Sequence, residues 1–392
     1  MPFQANEVAL VDLHKDPLTQ RYRDPRTGFD YVQLAGRVFR LQAWRERWRI
    51  YIGEQREGPL VKLGAGQQWV LDLEEPLLGG GPVLSRTIMG SHALAYEMNA
   101  IGMDSIQRRF PDKALQIREA HGQANTYLQR CQSALHTLND PGAQNADNRE
   151  YLEDFFDVER VEQDVLDRLQ AVIEPMNTRF LHPDLSPLTS DKYVVCTSRF
   201  TDNTVAFINR ADPLKRVFLT DKFFTTVFDQ PYASSHPYLK STVPPFEVNT
   251  HYRACFMLHE VSHQIVDTED IIYLNPGFPY TDLLDEKTPY GSQLKNFTET
   301  IQNCHSPYVG AENLFQQFDS NTQSWRDIPS GPAKQLVKKI AGASTLAQAR
   351  SVFTHDPLKR VDLMLANADT LVLLITGLGR EHPMSPGALM AM

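Results

Sequence analysis

Residues 252–266 read Tyr-Arg-Ala-Cys-Phe-Met-Leu-His-Glu-Val-Ser-His-Gln-Ile-Val, a stretch that contains neither proline nor glycine. This composition predicts a helix. Residues four positions apart lie on the same face of a helix, about one turn from each other. His259 and His263 have this spacing, and Glu260 directly follows the first histidine. The stretch therefore predicts a helix face on which two imidazoles and a carboxylate lie close together.

These three residues match the pattern H-E-x-x-H, in which two histidines bind one Zn²⁺ and the glutamate acts as general base. Zinc lowers the pKa of bound water toward about 7, so Glu260 can take its proton during attack on a peptide carbonyl. The helix is apolar around the motif, and buried imidazoles need polar partners, which a metal would provide. Two histidines placed by chance on an ordinary helix are the alternative explanation.

A catalytic zinc site needs a third protein ligand and an open position for water. Asp267, Glu269 and Asp270 follow the helix closely, and their spacing does not choose among them. His251 and His305 are further candidates, although isolated histidines are usually ordinary core or surface residues. The residues alone therefore leave the third ligand open.

Residues 268–273, Thr-Glu-Asp-Ile-Ile-Tyr, resemble the turn that follows the H-E-x-x-H helix in the deuterolysin family, the aspzincins. The resemblance implies a zincin-like fold with Asp270 as the third zinc ligand. It also implies that the Tyr273 hydroxyl donates a hydrogen bond to the oxyanion of the tetrahedral intermediate. Residues 365–369, Leu-Ala-Asn-Ala-Asp, add a short likeness to the end of the family's domain.

The chain departs from the family pattern at the turn itself. Asp267 stands where the family has glycine, Leu274 replaces a second glycine, and the gap between helix and aspartate is shorter. The lysine-specific branch of the family has acidic residues in the pocket that receives the substrate's lysine.

Acidic residues near the motif here are candidates for such a pocket; they are Asp282, Asp285 and Glu286. The alternative is that these residues are ordinary solvated charges in a loop.

The region ahead of the motif predicts two further parts. Short alternating runs, separated by glycine-containing breaks, predict strands at 31–34, 37–41, 48–52 and 68–73. Helical spacing follows at 105–138 and 149–174, with Pro175 as the expected end, and strand-like runs lie at 193–196, 204–208 and 216–219. We therefore expect an α+β fold: a small all-β module over residues 1–90, then a mainly helical, zincin-like metallopeptidase domain over residues 91–392, with its zinc helix at 252–266.

Composition excludes several classes of function. The formal net charge is −9 and the basic residues are scattered, which disfavours nucleic acid as a partner. No apolar run approaches the roughly 20 residues that a membrane-spanning helix requires. The four cysteines form no Cys-x-x-Cys pair, which disfavours a cysteine-based zinc site. We expect no membrane span and no nucleic-acid partner.

Residues 31–73 resemble the strand-rich segment that precedes effector domains in large bacterial toxins. The resemblance implies a bacterial effector or toxin with a host protein as its target. A toxin or effector would act outside the cell that makes it. Because the first 30 residues lack the apolar core of a secretory signal, the expected route is secretion or translocation through a non-Sec system. Otherwise the module simply packs on the catalytic domain and the protein is cytoplasmic.

The sequence as a whole predicts a zinc-dependent endopeptidase that binds one zinc ion and acts on protein or peptide substrates. One alternative is a catalytically degenerate protein that keeps the peptidase fold for binding or delivery. Another is a metal-dependent hydrolase with a different substrate, because H-E-x-x-H specifies the metal and the base but not the bond that is cleaved. Zinc content and a protease assay separate these hypotheses.

Overall fold

The structure is a computed structural model. It describes residues 10–380, with gaps at 35–36, 45–46, 53–55, 64–67, 72–87, 139–142, 200–202, 226–227, 229–237, 241–246, 303–304, 306–313 and 320–323.

The N-terminal part of the chain forms a seven-stranded antiparallel sheet in which each strand pairs with the next along the sequence. Its strands are β1 His14–Lys15, β2 Tyr22–Arg23, β3 Asp30–Leu34, β4 Arg37–Trp44, β5 Arg47–Ile52, β6 Arg56–Leu63 and β7 Trp69–Leu71. Val32, Phe39 and Ile50, on three neighbouring strands, belong to the small hydrophobic core of this sheet. Strands are present at the four predicted places, although residues 72–73 of the predicted strand 68–73 lie outside the described residues. Strands β1, β2 and β6 were not predicted.

A second, mixed sheet lies in the rest of the chain. Its strands are β8 Tyr96–Ile101, β9 Tyr193–Ser198, β10 Ala206–Ile208 and β11 Val217–Leu219, in the spatial order β10-β11-β9-β8. β11 pairs with β9 in parallel, and the other pairs are antiparallel. β10 is therefore an edge strand among the strands that the structure describes.

Helices make up most of the remainder. They are α1 Met103–Arg109, α2 Pro111–Thr137, α3 Ala143–Phe156, α4 Gln163–Leu181, α5 Asp221–Phe224, α6 Val248–Ile265, α7 Pro289–Gln302, α8 Pro332–Ala341, α9 Leu346–His355, α10 Pro357–Leu365 and α11 Ala368–Gly379. A hairpin of β12 Gln316–Asp319 and β13 Ser324–Asp327 lies between α7 and α8. Helices α2, α6 and α11 pack against one another in the largest core.

The coarse prediction of an α+β fold is confirmed: a small antiparallel sheet precedes a largely helical region with a mixed sheet. The division at residue 90 stays a prediction. Among the helices that the structure describes, none is both long and apolar enough to cross a membrane.

The predicted helical stretches 105–138 and 149–174 each form two helices, α1 with α2 and α3 with α4, and the helix end at Pro175 was predicted wrongly. Pro175 lies inside α4, which continues to Leu181. An internal proline costs about 3 kcal/mol because it removes a hydrogen bond and crowds the preceding turn. Buried residues on both sides of it, including Ile173, Met176 and Phe180, belong to the main core. Their burial at about 1.5 to 3 kcal/mol per side chain outweighs the cost of the proline.

Candidate metal centre

The motif helix is α6, which begins about one turn earlier than predicted. His259, Glu260 and His263 are buried on it. The Nε2 atoms of the two histidines are 3.1 Å apart. The helix and the convergence of its two imidazoles, both expected from the spacing, are therefore present in the structure.

The chain turns sharply after α6. Asp267 has a φ of 53°, in the left-handed region that glycine adopts most easily and aspartate tolerates. The aspzincin pattern has glycine at this position, so the departure from that pattern is compatible with a left-handed turn. The hydroxyl oxygens of Ser262 and Thr268 are 2.6 Å apart, which ties the turn to the last turn of the helix.

Asp270 is the acidic residue that this turn brings to the histidines. Its Oδ1 atom is 3.0 Å from Nε2 of His259 and 3.2 Å from Nε2 of His263. Glu269 instead pairs with Arg210, with Oε1 2.7 Å from Nη1. Asp267 is exposed. Within the described part of the chain, His259, His263 and Asp270 form the group that can hold a metal ion.

The three converging atoms define a triangle with sides of 3.0, 3.1 and 3.2 Å. In a tetrahedral site with metal bonds of about 2.0 to 2.1 Å, ligand atoms lie about 3.3 to 3.4 Å apart. The triangle is thus close to the size that a metal would impose. Asp270 Oδ1 is buried without a hydrogen-bond partner in the described structure, and leaving such an oxygen unpaired is costly. The residues fit a small divalent cation.

The outward nitrogens of both imidazoles have acceptors that fix the tautomers. Nδ1 of His259 is 2.6 Å from Oδ1 of Asp369. Nδ1 of His263 is 2.8 Å from the carbonyl oxygen of Thr268. Because these partners accept, each Nδ1 carries a proton, and each Nε2 is the nitrogen that is available to bind a metal ion. Histidines that bind metals are commonly oriented in this way.

The start of α11 holds the turn that carries Asp270 in place. The side-chain oxygen of Asn367 accepts hydrogen bonds from the backbone N–H groups of Ile271 and Ile272, both at 3.1 Å. Asp369 uses its second oxygen, Oδ2, to accept from the N–H of Leu274 at 2.6 Å. The N–H of Glu269 donates to the carbonyl oxygen of Ala366, and the N–H of Ala368 donates to the carbonyl oxygen of Glu269. These hydrogen bonds together form a clamp between the start of α11 and the turn. The short Asn-Ala-Asp sequence thus positions both the turn of Asp270 and the imidazole of His259 in the candidate metal site.

Sequence reasoning missed the role of Asp369. The residue lies in the first turn of an otherwise apolar helix, where an aspartate ordinarily indicates a favourable interaction with the helix dipole. Its burial is the unusual feature, since a buried carboxylate needs partners. Burial of α11 could be inferred from its composition, but the partner, His259, lies 110 positions away in the chain.

Glu260 and Tyr273, the two predicted catalytic residues, both line the cleft that contains the metal cluster. Burial raises the pKa of the Glu260 carboxyl, although His259 and His263 act in the opposite direction. Tyr273 is exposed, and its hydroxyl donates a hydrogen bond to Oδ2 of Asp270 at 3.1 Å. A general base and a hydroxyl donor are therefore available beside the cluster.

The cleft has a volume of about 810 Å³, within the range of about 300 to 1,000 Å³ that is typical of ligand pockets. Several parts of the chain line it: one face of α6, residues 203–210 around β10, the turn at 269–273, residues 275–278, and the side chains of Met89, His92 and Asp369. Arg210 lies at the end of the β10 segment, where its Nη2 also donates to the Thr268 carbonyl at 2.6 Å. The ion pair of Arg210 with Glu269 thus joins the edge strand to the metal-binding turn.

The other histidines considered from the sequence serve different purposes. His251 lies on α6, where Nε2 donates to the carbonyl oxygens of Pro276 and Phe278 at 3.1 and 3.2 Å. His305 is buried against Thr370, with Nδ1 2.7 Å from the hydroxyl. Neither belongs to the metal cluster. Cys131, Cys196 and Cys255 are free and buried, and Cys304 lies outside the described residues.

Comparison of the chain with protein-family models, with curated proteins and with solved structures found no match. The resemblances to the aspzincins and to toxin modules therefore stay predictions from sequence. The assignment of function depends on the metal cluster, the groups around it and the cleft.

Proposed function

We propose that the protein is a zinc-dependent endopeptidase that hydrolyses peptide bonds in protein substrates. The observation that carries the proposal is the convergence of His259 Nε2, His263 Nε2 and Asp270 Oδ1 next to Glu260 at the base of an open cleft. Two imidazoles and one carboxylate are a typical ligand set of catalytic zinc, which keeps its fourth position for water.

The edge strand β10 supports a peptide as the substrate. It lies along the same cleft as the metal cluster, and among the described strands it pairs only with β11. An extended peptide can add to such an edge through main-chain hydrogen bonds. This mode of binding would hold a protein segment across the cluster with one of its carbonyl groups near Glu260.

The residues around His259, His263 and Asp270 have separate roles in hydrolysis. When bound, zinc would polarise the scissile carbonyl and lower the pKa of water. Glu260 accepts a proton from the attacking water and passes it to the leaving amine nitrogen. Tyr273 moves its hydrogen bond from Asp270 to the carbonyl oxygen as negative charge develops there. Asp369 and the Thr268 carbonyl keep the two imidazoles oriented throughout.

Metal analysis and a protease assay together test the proposal. We expect about one zinc per wild-type chain and much less in His259→Ala and Asp270→Ala. Glu260→Gln should bind zinc normally but lose at least about 100-fold in cleavage of denatured casein, because the general base is absent. Glu286→Gln is the matched control: this exposed glutamate pairs with Lys295, so both zinc content and cleavage should stay unchanged.

Each alternative function has its own outcome. A wild-type protein without zinc, even after reconstitution, would favour the degenerate binding or delivery protein. A chain that binds zinc but cleaves neither casein nor a peptide library would point to a hydrolase with another substrate. Full activity in Glu260→Gln would show that the catalytic assignment is wrong.

The proposal extends to the biological setting. A peptidase preceded by a toxin-like sheet module would be an effector delivered to a host protein, with the module serving packaging or docking. Its seven-stranded antiparallel sheet is compatible with such a part. Detection of the protein in culture medium of a strain that lacks Sec-independent secretion systems would argue against this setting.

A further inference from the structure

The face of α6 that carries the metal ligands continues as an aromatic surface toward the start of the helix. Tyr252, Phe256, His259 or Glu260, and His263 are spaced three or four positions apart and so lie on one face. The ring of Phe256 is 4.8 Å from that of Tyr252 and 6.5 Å from that of His259, between ring centroids. Phe256 is half-buried, whereas its neighbours on the helix are buried. It therefore presents apolar surface one turn from a metal ligand.

A second segment extends this surface. Residues 276–278, Pro-Gly-Phe, line the same cleft. Gly277 packs so closely on Tyr252 that an added Cβ atom would lie 3.0 Å from the tyrosine ring. The imidazole of His251 holds the carbonyl groups on both sides of Gly277. Phe256, Tyr252 and Phe278 thus form a firmly supported aromatic wall.

The acidic groups of the cleft are already engaged. Among the described residues that line it, Glu260 is the proposed base and Asp270 faces the histidines. Glu269 pairs with Arg210, and both oxygens of Asp369 accept hydrogen bonds. Among the described residues that line the cleft, every carboxylate thus has a partner or a proposed catalytic role, and none remains to pair with the ammonium group of a substrate lysine.

The acidic residues that the sequence suggested for a lysine pocket have other contacts. Asp282 pairs with Arg380 through both oxygens, at 3.0 and 2.7 Å. Glu286 pairs with Lys295, and Asp285 accepts from the N–H of Lys287. None of the three lines the cleft as the structure describes it.

From this wall and this charge distribution we propose that the site selects a large apolar side chain, aromatic or branched aliphatic, next to the scissile bond. Phe256 is the specificity-determining residue, and Tyr252 and Phe278 complete the subsite. The inference rests on the proposed peptidase function and names its substrate class. Burial of an apolar side chain against the wall is favourable, whereas burial of an ammonium group there without a partner is costly.

Fluorescence-quenched peptides that differ only in the residues flanking the cleaved bond test the preference. Peptides with Phe or Leu should be cleaved with a kcat/KM at least about 10-fold above that of matched Lys or Ala peptides. Phe256→Ala should lose most of this discrimination, and Phe256→Leu should retain part of it. Leu115→Ala, at an exposed leucine of α2 outside the cleft, is the control and should behave as wild type.

A binding measurement keeps the inference testable without turnover. In the Glu260→Gln background, with zinc added, calorimetry should show tighter binding of the Phe peptide than of the Lys peptide, by at least about 10-fold. The difference should shrink in Phe256→Ala and in Phe278→Ala, with folding checked by circular dichroism. Two positions are used so that misfolding of one variant does not decide the result.

The outcomes separate this inference from the proposed function. Cleavage without discrimination between Phe and Lys, or preference for Lys, would overturn the apolar subsite and leave the peptidase intact. Apolar-selective binding without cleavage in the wild type would support the subsite and overturn the peptidase. Equal binding of all peptides, or binding of none, would overturn the subsite.

Discussion

Replacement of Asp369 by asparagine removes one charge behind His259 and leaves the shape of the side chain almost unchanged. In the wild type, both carboxylate oxygens are used: Oδ1 faces Nδ1 of His259 and Oδ2 accepts from Leu274, each at 2.6 Å. In the variant, one of the two positions holds an amide NH₂ group, which cannot accept. Either the imidazole or the backbone of the metal-binding turn then loses its partner.

The structure indicates the size of the effect. Loss of a partner that orients a metal-binding histidine typically weakens metal binding about 10- to 100-fold. Asp369 is buried and makes two short hydrogen bonds, and bonds to a charged group are about twice as strong as neutral ones. We therefore expect the upper part of that range for Asp369→Asn, about 2 to 2.7 kcal/mol in zinc-binding free energy.

Competition with a fluorescent zinc chelator at pH 7.5 gives the zinc Kd directly. Asp362→Asn is the matched control, because this aspartate on the preceding helix α10 is partly exposed and pairs with Arg168 at 2.8 Å. Its Kd for zinc should equal that of the wild type. A folded Asp369→Asn protein whose Kd changes less than about 3-fold would refute the orienting role of the carboxylate.

Three further predictions concern catalysis, packing and pH. Tyr273→Phe should lower kcat about 100-fold or more with unchanged zinc content, as measured by single-turnover cleavage and metal analysis. Gly379→Ala should lower the free energy of unfolding, measured by urea denaturation, by about 1 to 3 kcal/mol, because the added Cβ would meet the backbone of α2. Gly122→Ala, whose added Cβ would lie in open space on α2, should raise it by about 0.5 to 1 kcal/mol. Burial lowers the pKa of His251 to about 4, so the unfolded chain binds the extra proton first and stability falls as pH drops from about 6.5 to 4. At pH 5, His251 should lower the free energy of unfolding by about 2 kcal/mol relative to pH 7.5. The loss of stability should be smaller in His251→Asn and should keep its wild-type size in the exposed control His136→Gln. Equal pH dependence in all three proteins would contradict the assignment.

Local patterns predicted much of the architecture. Short runs rich in β-branched and aromatic residues were sufficient to predict strands such as β3 and β4, where adjacent residues such as Tyr31 and Val32 are both buried. The unbroken run around His259 was sufficient for α6, since four-residue spacing and helix geometry are properties of the local chain. Pro175 shows where this reasoning fails, because its effect on α4 depends on burial along the whole helix.

The candidate metal centre shows the same difference between features that local sequence predicts and features that depend on distant parts of the chain. The sequence by itself determined the two histidines and the glutamate, whose relative positions follow from helix geometry alone. The spacing left Asp267, Glu269 and Asp270 open, because a turn has no fixed periodicity that would aim one side chain at the helix, and only the resemblance to the aspzincins favoured Asp270. Tertiary structure decided for Asp270: the pairing of Glu269 with Arg210 and the clamp from the start of α11 set the direction of the turn. Both partners come from distant parts of the chain, so only packing of those parts on α6 could bring them to the site.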